Sequence, residues 1–437
     1  MKPFTMRWLA LMVLTAAAPG TAQGQAIDEV FPSGVAGYDQ APGVTVQTRQ
    51  RSLYDEAGVR LPGFDLRPYL EQSLVLNSNP LGDGSSGSVV SQSSGAVSAA
   101  SNWTRNRVAA TAGFGHVHYL DRPIDYTDFN GAIAGGYTLL DQELAAAFSH
   151  QSFHTLGTAI ATTRSTSPLL NQTDTARLSY LFASGRLSFA PELTATAYRY
   201  GNATTSGVKI DQKFFNRDVL TAAVTTRFAN TDRSSMLVVV RGIDSHFVNP
   251  QPSVPSLNSK SVLLLAGTDY QARGPWGYRV LIGGELRGFE SKTFITQVMP
   301  ILEASVTWTP TGFTTFTGTS TRTINDPQSG GSNGYTLTSA SIRADYELQR
   351  NILLKGHAIF RMAEFFQGGM QTSTNFGASS TWLLNRNVRA VLSYNFTQQS
   401  GAGPLNRGFA GSDALSTDTR TGRFSQSLIG LTLRLGL

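Results

Sequence analysis

The chain has 437 residues, 15% of them charged, with 35 Lys and Arg against 29 Asp and Glu, a formal charge of +6. Soluble domains carry about 25% charge, which argues against two or three soluble domains, and so small and scattered a basic excess excludes a nucleic-acid surface. The absence of cysteine excludes disulfide scaffolds and thiolate metal sites.

At the start, Lys2 and Arg7 precede an apolar run from Trp8 to Ala18, followed by Pro19-Gly20 and small residues at Ala22, Gly24 and Ala26. This is the pattern of an export signal, and residues 1–26 are assigned to it. The run is too short to cross a bilayer as a helix, and no later window of about twenty residues is free of charge. Residues 27–62 contain Pro32, Pro42, Gly43 and the mixed-charge run Arg49 to Arg60 without a sustained period. They read as a periplasmic arm, partly disordered.

From residue 63 to the end, strand-like segments are joined alternately by a tight turn and a long polar loop. Tight turns are expected at Thr104-Arg105, Leu139-Leu140, Gly185, Asn230 to Asp232, Gly274-Pro275, Thr311-Gly312, Gln349-Arg350 and Asn385-Arg386. Between them lie Asn77 to Ser93, Leu120 to Asp125, Thr155 to Asn171, Gly201 to Phe214, Asn249 to Ser259, Ser291 to Gln297, Asn325 to Asn333, Phe366 to Gly369 and Gln399 to Arg423. That rhythm predicts an all-β, transmembrane, antiparallel up-and-down β-barrel of about eighteen strands with both termini in the periplasm. If the weak segment Val97 to Trp103 and a neighbour are loops, the number is sixteen.

Alternation tests this independently. Ala340, Ile342, Ala344, Tyr346 and Leu348 share one face, while Ser341, Arg343, Asp345 and Glu347 share the other. The pattern resumes after Gln349-Arg350, and a period of two sustained over so many residues cannot belong to a helix. A barrel of about eighteen strands is too wide for side chains to fill, so its interior is wet and its apolar face points out. Aromatics near segment ends, including Tyr119, Tyr126, Phe129, Tyr198, Tyr200, Trp276, Tyr278, Trp308 and Trp382, suit interfacial girdles. Met236 to Val240 is apolar on both faces, which alternation leaves unexplained.

Little in the chain suggests chemistry. His116 and His118 share a face but lack a third ligand nearby in sequence. No Gly-x-Ser-x-Gly elbow accompanies the histidines, and Gly82 to Gly87 lacks the Lys-Ser/Thr ending of a phosphate loop. No catalytic residue, metal or cofactor is assigned. The polar faces carry the candidate pore lining: Arg177, Arg227, Arg241, Arg279, Glu285, Arg287, Glu303, Arg343, Asp345, Glu347, Lys355, Arg361, Arg389 and Arg434. Bases outnumber acids there, which favours anions. Alternatively, these residues pair across neighbouring strands and brace a hydrated wall.

Several short stretches resemble one family. They are Ser52 to Asn79 with Tyr54-Asp55, Gly63-Phe64, Leu66, Pro68 and Asn77; Tyr126-Thr127-Asp128-Phe129-Asn130; Asn216-Arg217-Asp218; and Gly283-Gly284-Glu285 with Gly288-Phe289. Further on come Trp308-Thr309-Pro310-Thr311 before Phe313, Thr321-Arg322-Thr323-Ile324, and Glu347-Leu348-Gln349-Arg350-Asn351-Ile352. Across essentially the whole mature chain they resemble the β-barrel porin 2 family. The resemblance implies an outer-membrane barrel, often associated with exopolysaccharide export. Barrels of this kind commonly end in an aromatic residue read by the assembly machinery, whereas this chain ends in Leu437.

The leading expectation is a porin-like passive channel for hydrophilic solutes, associated with polysaccharide export. A plugged barrel serving as anchor or adhesin is the alternative, with an outer-membrane hydrolase behind it. Expected partners are outer-membrane lipid and lipopolysaccharide, the barrel-assembly machinery and polysaccharide secretion components, with no nucleic acid. No residue pattern specifies a subunit contact.

Overall fold

A computed structural model describes residues 45–437 apart from 104, 141, 163–164, 206–207, 252–253, 272–274, 329–331 and 404–422. The expected export signal, the first part of the arm, and the turn residues Thr104 and Gly274 therefore lie outside the described residues. Eighteen long strands form one ring. In chain order they are Phe64–Asn77, Ser88–Ser101, Asn106–Tyr119, Tyr126–Leu139, Gln142–Thr155, Leu169–Ser184, Leu187–Tyr200, Arg217–Ala229 and Ser234–Phe247. The second half comprises Ser259–Gln271, Trp276–Phe289, Gln297–Thr311, Thr314–Asn325, Tyr335–Gln349, Ile352–Phe365, Met370–Leu383, Val388–Ala402 and Phe424–Gly436. Each pairs antiparallel with its neighbours, and the last closes on the first, with Leu74 opposite Leu431. Closure leaves no unpaired edge, which a bilayer would not tolerate.

The alternation of tight and long connections is as the sequence predicts, and the count is eighteen. The one sizeable boundary difference is at Asn77 to Ser93: the second strand already begins at Ser88 and runs through Val97 to Ser101. Its Ser/Gly-rich composition hides a strand whose partners supply the ladder on both sides. Tight turns close through local chemistry. In the Asn230–Ser234 turn the Thr231 hydroxyl accepts the Arg233 and Ser234 N–H groups at 3.2 and 3.1 Å. At Asn385 the side-chain oxygen accepts those of Asn387 and Val388 at 2.8 and 2.9 Å. Gly185 takes φ +58, as a tight hairpin requires.

Outward positions are apolar and exposed, as at Ile342 (64%) and Leu431 (59%), whereas their ladder neighbours Arg343, Asp345 and Arg434 face inward. On the outer face Trp276 stacks on Trp308 (5.1 Å) and Trp308 on Phe316 (5.2 Å), part of an aromatic girdle near the tight turns. Four of the expected girdle aromatics turn inward instead. Tyr119 and Tyr126 are buried against Val90 and Val117, and Tyr198 and Tyr200 pack beside Arg217. Their place in the two-residue alternation sets them on the inner wall. The same logic explains Met236 to Val240: Met236, Val238 and Val240 face out, while Leu237 and Val239 join Leu263, Leu265, Leu281 and Ile301 in a buried inner cluster.

Beside that cluster two neighbouring strands approach closely at glycines. A Cβ on Gly267 would lie 1.8 Å from the Val280 carbonyl oxygen, and one on Gly283 1.8 Å from that of Leu264. Both clashes are with backbone, so no side chain can swing away. Gly283→Ala should cost roughly 1–3 kcal/mol as the strands are forced apart. Gly288→Ala, with nothing within 4 Å of its Cβ, should cost little by the same refolding measurement. Equal losses at the two sites would show that the close approach does not depend on the missing side chain.

Candidate functional site: the barrel interior

All fourteen sequence-predicted lining residues occupy inward positions of the ladder. They do not form one basic field, because most are paired. Arg177 meets Glu192 at 3.8 Å, Arg241 meets Glu303 at 3.9 Å, and Arg343 meets Asp345 at 2.9 Å. Glu285 lies beside Ser261 and Arg287, and Arg279 stands opposite Asp269. Arg227, Arg279 and Lys355 are engaged as well. Pairing across neighbouring strands, offered by the sequence as the alternative to a basic lining, describes most of the wall.

Three groups close on partners that sequence reading missed. At the end that carries the tight turns, the segment from Thr45 to Glu56 lies inside the rim. The Val46 N–H donates to the Thr315 hydroxyl (3.0 Å) and the Gln47 amide to Asp345 (2.7 Å). Arg51 and Arg49 reach Glu347 at 2.6 and 3.4 Å. Further round, Arg389 and Arg434 stand directly opposite each other. Glu56 bridges these like charges at 3.2 and 3.3 Å, and Glu71 takes Arg434 at 3.1 Å. Val59–Leu61 then pairs with Phe64–Leu66 and leads into the first strand. This part of the arm is docked, held by charges whose partners lie hundreds of residues away.

At the opposite end, residues 156–162 and 326–328 of two long connections fold inward. The 156–168 connection leaves the fifth and sixth strands of the ring, yet Ile160 and Ala161 pack on Tyr335, Leu337, Ala363 and Phe365 of the fourteenth and fifteenth. It therefore crosses the mouth from side to side. The Ala161 N–H donates to Gln371 at 2.9 Å, and Thr162 bridges to Gln328 of the 326–334 connection.

That second connection is anchored by Asp326. Its carboxylate, 10% exposed, meets Arg217 at 3.0 Å and also pairs with Arg287. The Ser245 hydroxyl donates to it at 3.0 Å. Arg217 lies 4.3 Å over the Tyr198 ring and donates to the Tyr200 hydroxyl at 3.1 Å. Burial works to raise the Asp326 pKa, but Arg287, Arg217 and the hydroxyl together hold it below the ordinary carboxylate value. The only sequence signal was its position just after a strand, because the partners come from three other strands.

A cavity of about 540 Å³ remains between the 156–159 stretch and the wall built by the first five and last two strands. Its lining mixes the polar Ser73, Gln92, Asn130, Ser393, Asn395 and Thr432 with the apolar Val75, Val90 and Val117, the rings of Tyr69, Tyr119 and Tyr126, and two carboxylates, Glu71 held by Arg434 and Asp128 bonded to His154. A larger depression of about 1120 Å³ lies on the outer wall, between Phe148 and Glu290. It is edged by the pairs Arg199–Asp218 (2.6 Å) and Lys260–Asp244 (3.3 Å), and is not part of the interior. His116 and His118 bond Thr127 and Asp125, each at 2.9 Å. Among the described residues no group of three or more metal-ligating side chains converges.

The family described as "Putative beta-barrel porin 2" matches residues 51–406. No curated protein matches the chain. Among solved structures, the Pseudomonas aeruginosa protein OpdK with vanillate is similar at 11% identity and TM-score 0.44, covering 86% of this chain and 99% of that one. OccK2 (OpdF) of the same organism, in complex with glucuronate, is 13% identical at TM-score 0.44, covering 86% and 100%. A BenF-like porin from Pseudomonas fluorescens is 10% identical at TM-score 0.44, covering 86% and 100%.

Proposed function

We propose, from the premise that this chain belongs to the β-barrel porin 2 family, that it is a passive channel for hydrophilic solutes working beside polysaccharide export. The observation that carries the reading is the cavity inside a closed eighteen-strand ring, whose wall offers amides, hydroxyls and tyrosine rings beside carboxylates that are already held by Arg434 and His154. Amides, hydroxyls and tyrosine rings offer hydrogen bonds and flat apolar faces to uncharged sugars. Paired bases and acids cancel each other's field at a distance, so the wall selects weakly by charge. Single-channel conductance in planar bilayers, with sugar uptake in swelling vesicles, tests this. Steps of current and swelling in sugar are expected, and neither would be seen for a sealed barrel.

The second reading, a barrel stoppered by its own segments, is favoured by the docked Thr45–Glu56 segment and the 156–168 crossing. A wild type that never conducts would support it. A covalent nucleophile probe that labels one serine and abolishes a hydrolytic activity would instead support an enzyme.

The same proposal includes export with a cleaved leader of residues 1–26, assembly by the barrel machinery despite the terminal Leu437, and an outer belt against lipopolysaccharide. It places long connections outside the cell. An epitope inserted after Val254 should be reached by antibody on intact cells, and one at Gly185 only after permeabilisation. The reverse pattern would invert the topology.

A further inference from the structure

Once the pairs are assigned, one predicted lining base is left over. The geometry points to Arg361 as the oxyanion-selecting contact of the channel, an inference that rests on the channel reading above. Among the described residues its side chain has no carboxylate partner, unlike Arg177, Arg241, Arg287, Arg343, Arg389 and Arg434. It is exposed on the inner face of Ile352–Phe365.

Its surroundings are those of an anion seat. The ladder row through Arg361 reads Thr321, Ser339, Arg361, Ser373 and Gln399 across five strands. The rows immediately above and below it, from Thr323 to Gly401 and from Thr319 to Thr397, contain no Asp or Glu. Hydroxyls and an amide can therefore join the guanidinium in donating to a carboxylate, sulfate or phosphate, and the acid that continues the row beyond Thr321, Glu303, is taken by Arg241.

Position adds to chemistry. Ala363, the next inward residue toward the long loops, carries the docked Ala161 of the crossing connection, and Gln371 opposite it accepts the Ala161 N–H. Arg361 thus lies just inside the narrowing where that connection meets the wall. A guanidinium there faces solutes that pass the crossing connection, where low-dielectric walls focus its field. Arg presents a planar fork suited to two oxygens at once.

The test uses the full-length protein in planar bilayers in dilute asymmetric salt, with tripolyphosphate as the blocking probe. The wild type should prefer anions mildly and be blocked by tripolyphosphate. Arg361→Gln should lose both the preference and the block, and Arg361→Lys should keep the preference with weaker block. The neutral pair exchange Lys260→Gln with Asp244→Asn, on the outer wall, should behave as wild type. All effects should fade at 1 M salt, where screening shortens to about 3 Å.

Because the chain has no cysteine, Arg361→Cys gives a single label site. A membrane-impermeant anionic thiol reagent should react there, and no reaction would show that the position does not face water. A conducting wild type whose reversal potential and block survive Arg361→Gln overturns the assignment while leaving the channel reading intact. A wild type that never conducts overturns the channel reading, and this assignment with it.

Discussion

Replacing Asp326 by alanine should destabilise the barrel by about 3–5 kcal/mol, the cost of removing one partner from a buried ionic group. The loss falls on two guanidiniums at once. Arg217 and Arg287 are 5% and 4% exposed at the side chain, and both depend on the one carboxylate. Urea unfolding of protein refolded in lipid vesicles would measure it, with proteolysis of the 326–334 connection as a local readout. A second variant separates charge from packing: Arg217→Met, Asp326→Leu and Arg287→Met together should recover much of the loss, because an apolar trio removes the uncompensated charges. If Asp326→Ala costs less than about 1 kcal/mol, as surface pairs do, the anchor does not hold the connection.

The pH dependence of this anchor follows from its sign. Asp326 titrates below the ordinary carboxylate value in the folded protein, so its contribution is fully present above the unfolded value of about 3.9. It is lost only as pH falls through the lower folded value. The 326–334 connection should therefore resist protease equally at pH 5 and pH 8, and loosen only in stronger acid.

The second large effect is expected on the lipid side. Ile342→Arg and Leu431→Arg, each near the middle of its strand and exposed to the surroundings, should cost roughly 2–4 kcal/mol, the price of arginine at the bilayer midplane. Their chain neighbours Ser341 and Thr432 face the interior, where Ser341 bonds Thr319 (2.7 Å) and Thr432 bonds Ser73 (2.8 Å). Arginine at those two positions should cost much less, since water can reach it. Refolding yield and unfolding midpoints in vesicles of defined thickness would separate the pairs. Equal costs on the two faces would mean that the wall is not oriented as described.

The sequence by itself determined the elements that depend on near neighbours. Tight turns were legible because residues such as Asn385 and Thr231 hydrogen-bond the N–H groups two or three positions on. The inward set, from Arg177 to Arg434, was legible because a strand turns successive side chains to opposite faces. Even the ambiguous Met236 to Val240 obeyed that rule; what parity alone could not show was an apolar cluster on the wet side. What only the tertiary structure decided is which of those inward charges are cancelled and where the connections go. Glu56 between Arg389 and Arg434, Asp326 between Arg217 and Arg287, and Ala161 on the far wall are contacts between segments remote in the chain. No local period encodes such contacts, because they exist only once the ring has closed and brought its opposite sides within reach, and that closure leaves Arg361, among the described residues, without a carboxylate partner.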